Sequence, residues 1–332
     1  MTRNRALRIL VYCLSILVFI EDVKAEAQAR KVRVGIPSPT IPMLAFYAAK
    51  DKGFYRQEDL DVELILMRAP IANQALIAGS IEFSTIQLAG LIAALRGVPL
   101  KVIFGAFNRP LFWLYAKPNI KSVKELKGKK VATCGPGCAP DVLVRDFLES
   151  QGLVGDRDVP ILNVGSSPTR LAALESGAVD ASMFTLPDNF KAEELGFRQI
   201  VNFVEQDLVQ LYGSIVVRDA LLNSDPELIE KFVRATLKGL LYARSNRTGT
   251  IPVIVNNLKI QKELAARSYD LARPAMIDGV LREEHQRRFL EFVIKSQGRK
   301  ESLPEGSLGK FFNFSLTRKI HDELAAKGWK PD

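Results

Sequence analysis

Ala75-Leu76-Ile77-Ala78-Gly79-Ser80-Ile81-Glu82-Phe83-Ser84 is answered 98 residues later by Ala173-Leu174-Glu175-Ser176-Gly177-Ala178-Val179-Asp180-Ala181-Ser182. Pro70 meets Pro168 at the same offset, while Gly53 with Gly152 and Lys31-Val32 with Lys130-Val131 stand 99 apart. A spacing held at four places implies two copies of one supersecondary unit, and two similar lobes leave a cleft between them.

Around the quoted stretch the first copy reads as alternating strands and helices. Strands are expected at Lys31 to Ile36, Val62 to Met67, Ile81 to Ser84 and Leu100 to Ala106. Helices fall at Met43 to Lys52, Ile71 to Ala78 and Leu88 to Arg96, each stopped by a glycine. Pro37, Pro39 and Pro42 make the segment after the first strand a loop. The second copy repeats the order. Strands lie at Lys129 to Thr133, Ile161 to Val164 and Val179 to Met183, helices at Asp141 to Ser150 and Thr169 to Glu175, with a loop from Phe184 to Asp188. This rhythm predicts parallel sheets covered by helices on both faces. From Asp225-Pro226 onward the pattern is helical only, with helices to about Arg244 and over Gln261 to Ser268, Arg282 to Gln297 and Leu316 to Lys327. A cap at Asp225 and a first-turn Pro226 start the longest of them. If this tail returns to the first lobe the chain crosses twice, near Phe107 to Lys117 and Glu205 to Val217. The expected domains are a signal segment over 1–29, one lobe over 30–110 and 212–332, and a second over 111–211.

The 332 residues leave room for two ordinary cores, and 47% hydrophobic with 25% charged residues is globular. Arg3, Arg5 and Arg8 precede the apolar run Ile9 to Ile20, and small-residue sites follow at Ala25-Glu26-Ala27 and Ala27-Gln28-Ala29. That order reads as a secretory signal, because twelve helical residues span only about 18 Å of a roughly 30 Å bilayer core. Export to the periplasm of a bacterium follows as the expectation. Cleavage there would change the formal charge only from +9 to +8. A basic surface suits anionic small molecules, and no dense basic stretch points to nucleic acid. Cys134 and Cys138 permit a short disulfide in an oxidising compartment, with two packed free thiols as the alternative. Two thiols without a nearby His are too few for a metal, and no cofactor is expected.

Ligands of open α/β sheets sit beyond the carboxyl ends of the strands. The duplicated unit places Ser38, Pro39, Thr40, Arg68, Ser84 and Thr85 there in the first lobe. In the second it places Gly137, Cys138, Ser166, Thr185 and Asp188. Hydroxyls, backbone amides and one Arg can hold an anion without covalent chemistry. Each has a plainer reading as well. Ser84 can cap or pack, Ser38 and Thr40 can order their proline loop, Arg68 can be a surface charge, and Asp188 fits a helix cap better than a ligand. No catalytic residues emerge. His285 and His321 both lie in the helical tail, and no Ser/His/Asp order, phosphate loop or dinucleotide fingerprint is present.

Phe46-Tyr47-Ala48-Ala49-Lys50-Asp51-Lys52-Gly53-Phe54-Tyr55, running into Leu60-Asp61-Val62-Glu63, resembles the opening signature of the ABC-transporter substrate-binding proteins of the nitrate/sulfonate/taurine and thiamine-precursor group. Ser122 to Val131 is similar to their second-lobe entry, and Ala173 to Ala181 and Pro226 to Ala235 to later blocks. Asp59 departs from the glycine usual before the Leu-Asp-Val block. The resemblance implies a type II periplasmic-binding-protein fold: two doubly wound lobes, a central cleft and a helical C-terminal cover. It also implies capture of a small organic anion or a nitrogen- or sulfur-containing compound, and delivery by a monomer to a membrane permease and its ATPase. The alternative within the group is binding or synthesis of a thiamine-precursor pyrimidine. A fungal enzyme of that branch works with His and Lys, and both histidines here lie in the helical tail, outside the duplicated units.

Overall fold

The computed structural model describes residues 29–299 and 303–331, so the predicted signal segment lies outside the described residues apart from Ala29. Two sheets carry the chain. The first contains β1 (Arg30–Ile36), β2 (Leu60–Leu66), β3 (Phe83–Ser84), β4 (Leu100–Phe107), β10 (Ile215–Arg218) and β11 (Met276–Gly279), in the order β11-β4-β10-β3-β1-β2. The second contains β5 (Phe112–Ala116), β6 (Val131–Thr133), β7 (Ile161–Asn163), β8 (Ala181–Thr185) and β9 (Arg198–Asn202), in the order β7-β6-β8-β5-β9. In each lobe the opening strand pairs parallel with its two neighbours, β1 with β2 and β3, and β6 with β7 and β8.

The expectation of wholly parallel sheets is corrected. β10 runs antiparallel between β3 and β4, and β5 runs antiparallel between β8 and β9. Both are strands that follow a crossing between the sheets, so they enter without a βαβ connection to set a parallel direction. At the crossings Phe107 and Tyr212 form an antiparallel bridge, and Tyr212 N donates to Phe107 O at 3.0 Å. Gly213, on the returning segment at φ +59°, leaves no room for a side chain, since a Cβ would stand 2.4 Å from Pro42 O.

Helices α1 (Leu44–Asp51), α2 (Ala69–Ala78) and α3 (Gln87–Leu95) flank the first sheet, and α4 (Ala139–Ser150), α5 (Ser167–Glu175) and α6 (Asp188–Glu194) the second. The loop expected over Phe184 to Asp188 is shorter than that, because β8 continues to Thr185 and α6 begins at Asp188. Beyond β10 come α7 (Asp219–Ser224), α8 (Pro226–Ser245), α9 (Arg247–Leu258), α10 (Lys262–Ala272), α11 (Glu283–Ser296) and α12 (Ser315–Ala326). Two features of this tail were not predicted. β11 extends the first sheet, so the tail is not helical only. Gly249 and Pro252 hide α9, which forms because Asn246 accepts the Gly249 amide at 2.7 Å and starts the helix. Asp225 caps α8 by accepting Leu228 N at 3.1 Å. That helix crosses α1 at Gly239, where a Cβ would lie 2.2 Å from Ala45 O and 2.6 Å from Ala49 N. Phe232 of α8 stacks on Phe83 with ring centroids 4.1 Å apart, fastening the tail to the first sheet.

The duplication is visible in hydrogen bonds. Arg33 N donates to Glu82 Oε2 at 2.7 Å while Glu82 N donates to Arg33 O, and Lys130 N donates to Asp180 Oδ2 at 3.0 Å while Asp180 N donates to Lys130 O. Glu82 and Asp180 keep the 98-residue offset, but Arg33 and Lys130 stand 97 apart. The strand pairing of Lys31 with Lys130 read from the sequence is therefore two residues out of register. A slip of two keeps every side chain on its own face, so alternation cannot detect it.

Candidate functional site

The carboxyl ends of both sheets face one another across a cleft cavity of about 70 Å³. From the first lobe come the proline loop with Ser38, Thr40 and Met43, and the turn Thr85-Ile86-Gln87 into α3. From the second come Cys134, Cys138, Ser167, Arg170 and Thr185, while Phe112, Tyr212 and Gly213 of the crossings close one end. The lobes touch around it. Ser167 N donates to Ser38 Oγ at 3.4 Å, and Ile41 N donates to Leu186 O at 3.2 Å.

Arg170 is the group that sequence reading missed. It is 2% exposed, donates through Nε to Met183 O at 2.9 Å and through Nη1 to Gly165 O, and so ties α5 to the end of β8. Burial pushes its guanidinium down to about 10, with the Asp188 carboxylate opposing the shift; that is still far above neutrality, so the side chain is a cation. A buried cation without a carboxylate salt bridge among the described residues is costly, and a bound anion would offset that cost. The duplication sharpens its meaning. At the 98-residue offset Arg170 corresponds to Ala72 and Ser167 to Ala69, both buried, while Leu174 and Leu76 are apolar in both copies. One lobe thus presents a small apolar wall where the other presents a cation and a hydroxyl. The available signal was a charge four residues before Leu174, on the buried stripe of a helix.

Polar atoms without partners cluster beside Arg170. Ser167 Oγ, Thr185 Oγ1 and Asp188 Oδ2 are buried with no hydrogen bond among the described residues, and Asn189 Oδ1 is a fourth. Buried polar atoms are nearly always paired, so these unpaired ones leave hydrogen-bonding capacity for a polar group in the cleft. Facing them, Cys138 packs with Ala69, Ala72, Ile86 and Ala89 into a small apolar cluster. Cys134 and Cys138 are disulfide-bonded, with Cα atoms 6.0 Å apart, which settles the alternative left open by their spacing.

The predicted residues separate by their place in the structure. Ser38, Thr40, Thr85, Cys138 and Thr185 line the cavity. Ser84 and Ser166 do not. Ser84 Oγ accepts Ile86 N at 3.2 Å inside the sheet, and Ser166 caps α5 by accepting Thr169 N at 3.4 Å, leaving Ser167 to face the cavity. Pro39 and Arg68 are exposed and absent from the lining, Arg68 being the residue that precedes α2. Gly137 borders a larger groove of about 930 Å³ outside the cavity, between α2, α3 and α11 on one side and α4 on the other. Asp188 is not a cap, as the helix starts on it; its Oδ1 accepts Lys191 Nζ at 3.1 Å and it sits 1% exposed, behind the lining.

The NMT1/THI5-like family profile matches residues 41–248, a span that includes every cavity-lining residue except those of the proline loop before Ile41. The chain belongs to the NMT1/THI5-like family. It is 25% identical over 217 residues to a riboflavin-binding protein of Chloroflexus aurantiacus, covering 63% of this chain and 60% of that one. To a putative thiamine biosynthesis protein of Haemophilus influenzae it is 30% identical over 211 residues, 60% of this chain and 63% of that one. The matches thus span somewhat under two thirds of the length of these curated relatives. Among solved structures, the periplasmic nitrate-binding protein of Synechocystis PCC 6803 superposes with a TM-score of 0.70 at 15% identity, covering 90% and 89% of the two chains. The alkanesulfonate-binding protein of Xanthomonas axonopodis pv. citri, bound to MOPS, superposes at 0.66 with 19% identity over 82% and 91%. The fold is that of the periplasmic binding proteins of ABC import systems.

Proposed function

We propose that this family member is an exported solute-binding protein that captures a small organic anion between its lobes and hands it to an ABC permease and its ATPase. The observation that carries the reading is the buried, charged Arg170 beside the unpaired Ser167 and Thr185 hydroxyls in the interlobe cavity. A sulfonate or carboxylate oxygen set accepts from all three, and Ser38, Thr40 and Thr85 close over it from the other lobe. The proposed ligand residues are therefore Ser38, Thr40, Thr85, Cys138, Ser167, Arg170 and Thr185. Hinge closure with ligand bridging both lobes accounts for capture and release. A cavity of about 70 Å³ is far below the ~300–1,000 Å³ of pockets for drug-sized ligands, which favours a compact anionic headgroup in this closed form.

A second reading follows from the unpaired Asp188 Oδ2, an acceptor suited to a ligand N–H, and from the names of the curated relatives. On it the ligand is a nitrogen heterocycle of the thiamine-precursor kind, and the lobes open wider to admit it. The cavity supplies no His for turnover, both histidines standing outside its lining. The two readings separate in one experiment. A panel of alkanesulfonates, carboxylates and aminopyrimidines is followed by thermal shift and by mass spectrometry of the ligand. A saturable rise with small sulfonates or carboxylates and an unchanged ligand mass is expected; a rise with pyrimidines alone, or any ligand turnover, overturns the first reading.

A further inference from the structure

Behind the hinge, on the face of the first lobe away from the cleft, lies a groove of about 480 Å³. Arg244 at the end of α8, Arg282 before α11 and Arg318 on α12 line it, with both histidines of the chain, His285 and His321. All three Arg side chains belong to exposed residues, and none makes a carboxylate salt bridge among the described residues. Other guanidiniums on this surface are paired, as Arg247 is with Asp270 at 2.7 Å and Arg288 with Asp207 at 2.9 Å. The opposing acids in the groove are Asp278 and Asp322, the latter 3.8 Å from His321. Among the described residues no three His, Asp or Glu side chains converge as metal donors, so the excess positive charge looks outward to an anion.

We propose that this groove is a second binding site, for a multiply charged phosphate-class oxyanion. Three forked guanidiniums from three separate elements match the several acceptor oxygens of such a group better than they match one carboxylate. The groove also borders Asn108 on the first crossing, whose amide donates to Ala275 O at 3.1 Å just before β11. An anion there would sit against the first crossing between the lobes.

Titration calorimetry with inorganic pyrophosphate tests the site on the full chain. One saturable site is expected at low salt, weakening as salt rises because the groove is exposed. The triple variant Arg244→Ala, Arg282→Ala, Arg318→Ala should weaken it at least tenfold with an unchanged melting temperature. Arg170→Met in the cleft should leave it intact, as should removal of the same charge elsewhere by Lys121→Ala, Lys124→Ala, Lys127→Ala. Retention on phosphatidylglycerol but not phosphatidylcholine vesicles, competed by pyrophosphate, would identify a lipid headgroup as the source; no retention leaves a soluble phosphate compound. Absence of saturable binding overturns the proposal. So does equal loss in the lysine variant, which would reduce the effect to net charge, or loss in Arg170→Met alone, which would place the anion in the cleft.

Discussion

Ser166 and Ser167 show how much one residue decides. The repeat places a hydroxyl at the mouth of the second lobe, but period and offset cannot say which of two adjacent serines turns inward. The cap geometry does, because Ser166 Oγ is occupied by Thr169 N while Ser167 Oγ is buried and unpaired. Ser167→Ala should therefore weaken anion binding by about 1.5–3 kcal/mol, the scale of a lost hydrogen bond to a charged group. Ser166→Ala should leave affinity nearly unchanged and cost about 1 kcal/mol of stability as a lost cap. Calorimetry and thermal melts of the two variants check this, and the opposite pattern would return the site to Ser166. Arg170 was hidden for a related reason. A single Arg in an exposed-looking helix reads as surface until its place on the buried stripe, opposite Ala72 in the duplicate, is compared. Asp59 was legible: it adopts the left-handed conformation at φ 57°, the conformation that favours the glycine the resemblance implies there.

At the scale of elements, the alternation of strands and helices was readable in both copies because each helix is followed within two residues by a glycine and the opening strands are rich in Val and Ile. What failed were elements whose identity depends on distant partners. β11 is four residues that become a strand only by pairing with β4, and α9 contains the two residues that argue most against a helix. The α1–α8 crossing is another such feature, since nothing local marks Gly239 as a contact point. Gly239→Ala gains about 1 kcal/mol of helix propensity but drives a methyl into backbone on the facing helix. Overpacking costs about 1–3 kcal/mol where side chains can yield, and backbone yields less. A net loss of about 2 kcal/mol is expected, seen as a melting temperature several degrees lower. An unchanged or higher value would mean that the two helices are not packed this closely.

At the scale of the molecule, contacts beside the cleft join the two lobes. Lys295 on α11 reaches Asp146 on α4 at 2.8 Å, and on the other side Arg267 lies 4.3 Å over the Phe190 ring and 3.6 Å from Glu194. Exposed pairs of this kind are worth about 0.2–1 kcal/mol, small for folding but enough to shift an open–closed equilibrium up to about fivefold. Lys295→Ala should lower the closed population in solution scattering and the apparent ligand affinity by at most that factor, with an unchanged melting temperature in the absence of ligand. If scattering and affinity do not move, this pair does not hold the lobes. None of these contacts could be read from the sequence, because they join residues on different lobes whose approach depends on the hinge.

On the proposed function, the buried Arg170 cation of the second lobe selects an anion in the cleft. Titration of the wild-type protein and Arg170→Met with the tightest-binding compound of the sulfonate and carboxylate panel tests it most directly. Removing one partner of a buried charge pair costs about 2–5 kcal/mol, so affinity should fall at least thirtyfold. Equal affinity in the two proteins, with the variant still folded, would contradict the account.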